Sequence, residues 1–359
     1  MPNAEQVKST AERVAKPLLR VLAGDQRTPP PIWLMRQAGR YLPEYRAVRA
    51  DAGGFLDLCY DSERSAEVTL QPIRRYGFDA AIVFADILLI PHALGQDVAF
   101  KQGEGPCLEP IRKAGDLAVL RPEGMLEKLE PVMGTLRILA RELPSECALI
   151  GFAGAPWTVA TYMVEGGSSK DYLTVKRWAF GEEPGFAALI DRLVEATADY
   201  LVAQVRAGAE VVQIFDTWAG VLPEAAFRRW CVAPVKAIVE RFRAQCPTVP
   251  VIAFPRGAGP LLLGYAAETG VDGVSLDSAM PLAWARENLN DARVLQGNLD
   301  PALLVAGGQP MREGIATILE AMKGRSHIFN LGHGIVPPTP PEHVGELVAT
   351  VRELAGRNG

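Results

Sequence analysis

The chain is poor in residues that staple a fold, ligate metals or attack substrates. Its 359 residues include five cysteines, at 59, 107, 147, 231 and 246, an odd count with no CxxC pair. That pattern excludes a disulfide scaffold and points to inert thiols in a reducing compartment. Four histidines are present, and none stands with cysteine at zinc spacing. No Walker loop and no GxSxG elbow occurs. Lysine and arginine number 37 against 42 aspartates and glutamates, a net charge of −5. A general nucleic-acid surface needs the opposite balance. Spanning apolar runs are missing too. The uncharged stretch CALIGFAGAPWTVATYMV, 147–164, is interrupted by Gly151, Gly154 and Pro156. It reads as a strand and loop rather than a membrane helix. No positive region followed by an apolar run opens the chain, so no signal peptide is expected and the expected location is cytoplasmic.

What is present is an ordinary globular composition, 48% hydrophobic and 22% charged, enough for a substantial core. Buried parallel strands read as short continuous apolar runs. Eight such runs occur, at 31–36, 80–86, 148–154, 211–216, 249–255, 273–277, 293–298 and 327–333. Amphipathic segments lie between them. The stretch 184–208 repeats apolar residues at helical steps and stops at Gly208; 224–245 reads as a helix with a break near Pro234. The segments 260–270 and 311–324 read as shorter helices. Alternating strands and helices predict one α/β domain over 1–359, a (β/α)8 TIM barrel. About residues 1–25 form a helical extension packed outside it. A doubly wound sheet is the alternative, but its glycine-rich phosphate loop is missing after the first strand, which ends MRQAGR.

In such barrels chemistry gathers where the strands end. Those ends carry Arg36, Asp86, the 154–162 loop, Asp216, Thr217, Arg256, Asp277, Asn298, Asp300 and His333. No cysteine or lysine is among them. Arg36 and Arg40 lie four apart, so a helical turn would set both on one face. Guanidinium groups grip carboxylates or phosphates with paired hydrogen bonds; the bland reading is pairing with the barrel's own acids. Asp86 stands alone among apolar neighbours in AAIVFADILLIP. It is either a helix cap or a carboxylate kept bare for N–H donors on a ligand. Asp216 and Asp277 read more readily as caps and loop anchors. His333 lies between two glycines, and Tyr162 is either a core residue or a site residue with a wet tip. The set suits a polyanion that also carries N–H groups.

PIWLMRQAGRYLPEYR (31–46) and GFAGAPWTVATYMVEGGSS (151–169) closely resemble the two signatures of the uroporphyrinogen decarboxylase family, and AAIVFADILLIPHALG, GNLDP and NLGHGIVPPTPPEHV also match. The resemblance runs from about residue 28 to the C-terminus. It implies a homodimeric (β/α)8 barrel that needs no cofactor and no metal. It implies conversion of the four acetate side chains of uroporphyrinogen to methyls in tetrapyrrole biosynthesis. By position, Arg36 and Arg40 would hold substrate carboxylates, with Gln37, Ala38 and Gly39 lining the site. Asp86 would accept from pyrrole N–H groups, and Tyr162, Thr217 and His333 would touch the substrate. Asp86, Arg36, Tyr162 and His333 are the catalytic candidates. The chain departs from the family at Thr217, where serine is frequent, and at Pro255-Arg256, where a Lys-Gly-like stretch is expected. Two rival readings remain: a zinc-dependent corrinoid-type methyltransferase of the same superfamily, and a tetrapyrrole carrier without catalysis.

Overall fold

The computed structural model describes residues 16–101, 105–181 and 185–357. Most of the extension expected over residues 1–25 therefore lies outside the described residues; the helix Pro17–Leu22 belongs to it.

Seven parallel strands form the central sheet: β1 Ala80–Ile82, β4 Ala148–Gly154, β5 Val211–Asp216, β6 Val251–Pro255, β7 Gly273–Ser275, β8 Val294–Gln296 and β9 His327–Ile328, each hydrogen-bonded to the next in that order. The intervening β2 Val98–Lys101 and β3 Gly105–Leu108 form a separate antiparallel hairpin. The remaining run, around Ile32, is too short to count as a strand, yet it closes the ring. Ile32 bridges Phe329 in parallel. The Phe329 N–H donates to the Pro31 carbonyl at 2.9 Å, and on the other side the Asp79 N–H donates to the Ile32 carbonyl at 2.9 Å. The Asp79 carboxylate accepts the Ile32 N–H at 2.8 Å. All eight expected runs thus stand around one ring. The hairpin was not expected, because its sequence lacks a continuous apolar run.

The interior is not wholly apolar. The Trp33 indole N–H donates to Gln296 Oε1 at 2.9 Å, and Gln296 Nε2 donates to Gln213 Oε1 at 3.0 Å and to Ser275 Oγ at 3.1 Å. All four side chains are buried. Buried polar groups tolerate few arrangements, so this layer ties four staves of the ring in one register.

Helices cover the outside. The longest, Phe186–Arg206, buries Leu189, Leu193, Leu201 and their neighbours, and Gly208 follows at φ 123°, as the stop signal predicts. Pro234 does not break its helix. A π-helical turn, Arg228–Val232, precedes it and leads directly into Ala233–Gln245. The wider turn absorbs the missing N–H. The 260–270 segment is a short 3₁₀ turn, Gly259–Leu262, then a helix, Tyr265–Thr269; the other shorter helix is Gly308–Ala321.

At the N-terminal end of the ring, Lys16 Nζ meets Glu210 Oε2 at 2.5 Å and donates to the Cys147 carbonyl at 2.8 Å. These side chains are 2% and 6% exposed. Removing one member of a buried pair strands the other charge, at a cost of about 3–5 kcal/mol. Lys16→Met is therefore expected to lower unfolding stability by that amount in urea titrations. Adding Glu210→Gln should recover most of the loss, and an undiminished midpoint in the single variant would contradict the assignment.

Candidate active site

The opposite, C-terminal end of the ring collects the charged groups. Arg36 follows Met35 with φ +59°, a left-handed conformation that bulky residues adopt only under constraint. The constraint is visible. The Ile335 N–H donates to the Met35 carbonyl at 2.9 Å. The Arg36 side chain lies across Gly334, where a Cβ would stand 2.4 Å from Arg36 Cδ. Gly334 is thus a seat for the arginine, and the two glycines around His333 answer to packing: a Cβ at Gly332 would meet the Ser278 backbone at 2.3 Å. The expected helical turn from Arg36 to Arg40 does not form. The chain passes through non-helical turns until Pro43 starts the helix Pro43–Asp51, because Arg36 leaves the right-handed region.

Asp86 makes a local turn rather than a helix cap, since the helix that follows has Leu88 at its N-cap position and no side-chain cap. Its Oδ1 accepts the Leu88 N–H at 2.8 Å, a local turn at the entry to the helix Leu89–Leu94. No other donor among the described residues engages this carboxylate through a hydrogen bond. Burial pushes its pKa up to about 6, with the Leu88 N–H and the Arg36 guanidinium pulling it back. Tyr162, half-buried on the helix Pro156–Glu165, is raised as well, first by burial and then by the Asp86 anion. His333 is driven down to about 4 by burial and by the positive charges of Arg36 and Arg256, with Asp277 opposing. It is therefore a neutral imidazole at neutral pH. Arg36, Asp86, Tyr162 and His333 form one electrostatic neighbourhood, with Arg36 common to the other three.

Arg40 is exposed and influences the Tyr45 phenol, whose ring lies 5.6 Å from that of Phe84. Arg46 braces the turn by donating to the Arg40 carbonyl at 2.8 Å. Gln37 is buried, bonds the Ala80 carbonyl through Nε2 at 3.2 Å, and offers its own carbonyl to the Tyr41 hydroxyl at 2.9 Å. Ala38 and Gly39 are half-buried beside it. Among the described residues Arg36, Arg40 and Arg256 have no ion pair. The nearby acids are committed elsewhere. Asp216 turns into the wall, accepting from Thr158 Oγ1 at 2.6 Å, and the same hydroxyl accepts the Trp218 N–H at 3.1 Å. Asp277 accepts the N–H groups of Gly257 at 2.8 Å and Ala279 at 2.9 Å. Asp300 caps Pro301–Ala306, and Asn298 donates to the carbonyls of Asp277 and Met280. Thr217 stays half-buried at the end of β5.

Beneath the charges is a floor that strand-end reading passed over. Phe152, Phe215 and Phe254 lie on consecutive strands β4, β5 and β6, with ring centroids 5.6 and 6.3 Å apart and edge-to-face geometry. His333 adds a fourth ring 6.4 Å from Phe254. Trp218 and Tyr172 extend the aromatic surface, their rings 5.3 Å apart, and Tyr162 lies 6.1 Å from Trp218. The signal existed: each phenylalanine sits within two residues of a strand's end. A rim of guanidinium groups without ion pairs among the described residues, a half-buried carboxylate and an aromatic surface of half-buried Phe215, Trp218 and Tyr162 over buried Phe152 and Phe254 suit a flat polyanionic ring.

The model of the family "Uroporphyrinogen decarboxylase (URO-D)" matches residues 14–354. The uroporphyrinogen decarboxylase of Rhodospirillum rubrum is 57% identical over 344 residues, covering 96% of this chain and 99% of the relative. That of Paracoccus denitrificans is 53% identical over 338 residues, covering 94% and 99%. The chain belongs to the uroporphyrinogen decarboxylase family. Among solved structures, a methyltransferase from Methanosarcina mazei superposes with a TM-score of 0.76 at 19% identity, covering 95% of this chain and 98% of that one. A B12-independent methionine synthase from Shewanella superposes at 0.56 with 8% identity, covering 83% and 87%. These two speak to the barrel alone. Family membership and the barrel expected from eight apolar runs therefore agree.

Asp86 carries a stability consequence whose sign can be stated. Its folded-state pKa, about 6, lies above the ordinary carboxylate value, so the folded chain binds more protons than the unfolded one between about pH 4 and pH 6. The anion destabilises the fold above that window. Asp86→Asn, which keeps an acceptor for Leu88, is expected to raise stability by about 1–3 kcal/mol at pH 7.5. Thermal unfolding of the two proteins at pH 7.5 and pH 4.5 tests this, since the difference should shrink at the lower pH.

Proposed function

We propose that the chain is a uroporphyrinogen decarboxylase. It converts the four acetate side chains of uroporphyrinogen III to methyls, giving coproporphyrinogen III, without an organic cofactor or metal. The carrying observation is Asp86: a half-buried anion with one oxygen tied to Leu88 and the other without a hydrogen-bond partner among the described residues, near a guanidinium that has no ion pair among them.

The chemistry follows from charge. An acetate loses CO2 when the electron pair of its C–C bond has somewhere to go. Protonation of a pyrrole carbon makes the ring that acceptor and leaves positive charge at the pyrrole nitrogen. Asp86 accepts the N–H and stabilises that charge where it is greatest, in the transition state. The methylene left by CO2 takes a proton and the ring carbon gives one up, so each cycle consumes one proton and releases one CO2. Arg36 holds the reacting carboxylate and Arg40 a neighbouring one. Tyr162, kept protonated by its raised pKa, donates its O–H, and Thr217 contacts the macrocycle. His333, neutral at working pH, serves as a hydrogen-bonding partner rather than as the acid.

A carrier needs the arginines but gains nothing from an anion that costs stability, which favours turnover over transport. Family membership and the strand-end residues likewise favour the decarboxylase over the methyltransferase. Among the described residues no helix is long and apolar enough to cross a membrane. We take the enzyme to be a cytoplasmic homodimer, which sedimentation and fractionation would test.

The direct assay is anaerobic incubation with uroporphyrinogen in excess chelator, with chromatographic separation of the eight- to four-carboxylate products. Stepwise arrival at the four-carboxylate product is expected; binding without products would favour the carrier. Asp86→Asn should lower turnover about 10²–10³-fold, whereas His333→Asn should keep substantial activity. Complete loss in a folded His333→Asn protein would make the imidazole the acid. Because Asp86 must be ionised, kcat/KM should fall about tenfold per pH unit below the Asp86 pKa of about 6. That limb should be missing from the residual activity of Asp86→Asn, and its persistence would assign it to another group.

A further inference from the structure

Arg256 is a cation that the reaction as described leaves idle. It leaves the end of β6, and in the ring formed by the Ile32 segment and the seven strands this is the fifth stave, directly across from the first, which delivers Arg36. Its backbone is held at several points. The Arg256 N–H donates to the Asp216 carbonyl at 3.1 Å, and its carbonyl accepts the Gly220 N–H at 3.0 Å. The next N–H, of Gly257, is taken by Asp277 at 2.8 Å. Gly220 packs so tightly here that a Cβ would lie 2.3 Å from the Gly257 carbonyl oxygen. The base of the side chain is thus rigid. The side chain is half-buried and has no ion pair among the described residues. Its acidic neighbour Asp277 already accepts two backbone N–H groups.

A half-buried guanidinium on a fixed base, left without an anion, is a binding device for one brought by a ligand. Its place on the stave opposite the one that delivers Arg36 says which part of the ligand. Arg36 influences Asp86 and Tyr162, Arg256 influences Tyr172, and His333 feels both arginines, while Trp218 links Tyr162 and Tyr172 at 6.1 and 5.3 Å. Resting on the decarboxylase reading above, we propose that Arg256 binds a non-reacting carboxylate on the edge of the macrocycle opposite the acetate being lost, so that Arg36 and Arg256 clamp the ring across its width. Such a contact is made equally in ground and transition states. It sets affinity and leaves the chemical step nearly untouched.

The test compares Arg256→Met, Arg256→Gln and Arg256→Lys in the full chain, after thermal unfolding confirms which variants fold. With uroporphyrinogen, the neutral variants should raise KM about 10–100-fold, the loss expected for a charge-assisted contact, while kcat stays within about threefold. Arg256→Lys should recover part of the affinity, having the charge without the fork. Unchanged KM in a folded neutral variant would overturn the proposal, as would a loss confined to kcat, which would place Arg256 behind His333 instead. Should Arg256→Met not fold, Arg256→Gln is judged by the same criteria; if neither neutral variant folds, a KM for Arg256→Lys equal to that of the unsubstituted chain counts against the fork and overturns the proposal. A second measurement, fluorescence-detected binding of uroporphyrin, separates this inference from the reaction itself. Weaker binding by the neutral variants supports the clamp even if the unsubstituted protein makes no product. Equal binding, or none by any protein, overturns it.

Discussion

Everything at the mouth depends on how the ring closes. The first stave is a short segment around Ile32, held between Phe329 on one side and Asp79 on the other by main-chain bonds and one carboxylate. It has too few residues to be a strand by itself, so its position comes from its neighbours. That position throws Arg36 into the left-handed region, lays its side chain over Gly334, and puts the guanidinium within influence of Asp86, Tyr162 and His333. A slip of one residue would turn Trp33 away from Gln296 and break the interior polar layer as well. Closure, interior register and the aim of the arginine are one constraint.

An acidic protein keeps a cationic mouth by occupying its acids elsewhere. Asp216 is spent on Thr158 inside the wall, Asp277 on two backbone amides, Asp300 on a helix cap and Glu210 on Lys16 at the far end of the ring. Among the described residues Arg36, Arg40 and Arg256 have no ion pair, while one carboxylate oxygen of Asp86 and the buried Oδ2 of Asp216 are left without a hydrogen bond. The electrostatics are therefore less a matter of how many charges there are than of which ones have been used up.

Much of this is legible in the sequence. Eight apolar runs gave eight staves because parallel strands covered on both sides have no choice but to be apolar, and their ends pick out Arg36, Asp86 and His333, which stand in one electrostatic neighbourhood. Tyr162 joins them from the helix Pro156–Glu165, where the sequence reads as a loop because Gly154 and Pro156 hide the helix start. Spacing failed where backbone conformation overrode periodicity. Arg36 and Arg40 are four apart, but the turn between them is not helical. Asp86 could not be divided between cap and ligand from sequence: one oxygen takes the Leu88 N–H in a local turn, and the other has no hydrogen-bond donor among the described residues. Polar strand ends do not reveal the phenylalanine floor, although an aromatic just before three consecutive ends is a pattern as regular as any charge. The hairpin of β2 and β3 offered no comparable pattern. Its partner is the glycine pair Gly166 and Gly167, where the Leu108 N–H reaches the Gly166 carbonyl at 3.0 Å.

The floor has one more property. Phe215 is half-buried over the buried rings of Phe152 and Phe254, and none of the three has a hydrogen-bond donor or acceptor in its side chain. Such a surface rewards contact without prescribing angle. Under the proposed function it would act as a bearing, over which a round ligand with near-equivalent sectors is re-seated at little cost while the rim sets its orientation. An enzyme that must present several similar groups in turn to one fixed anion gains from a support that holds firmly and indexes nothing.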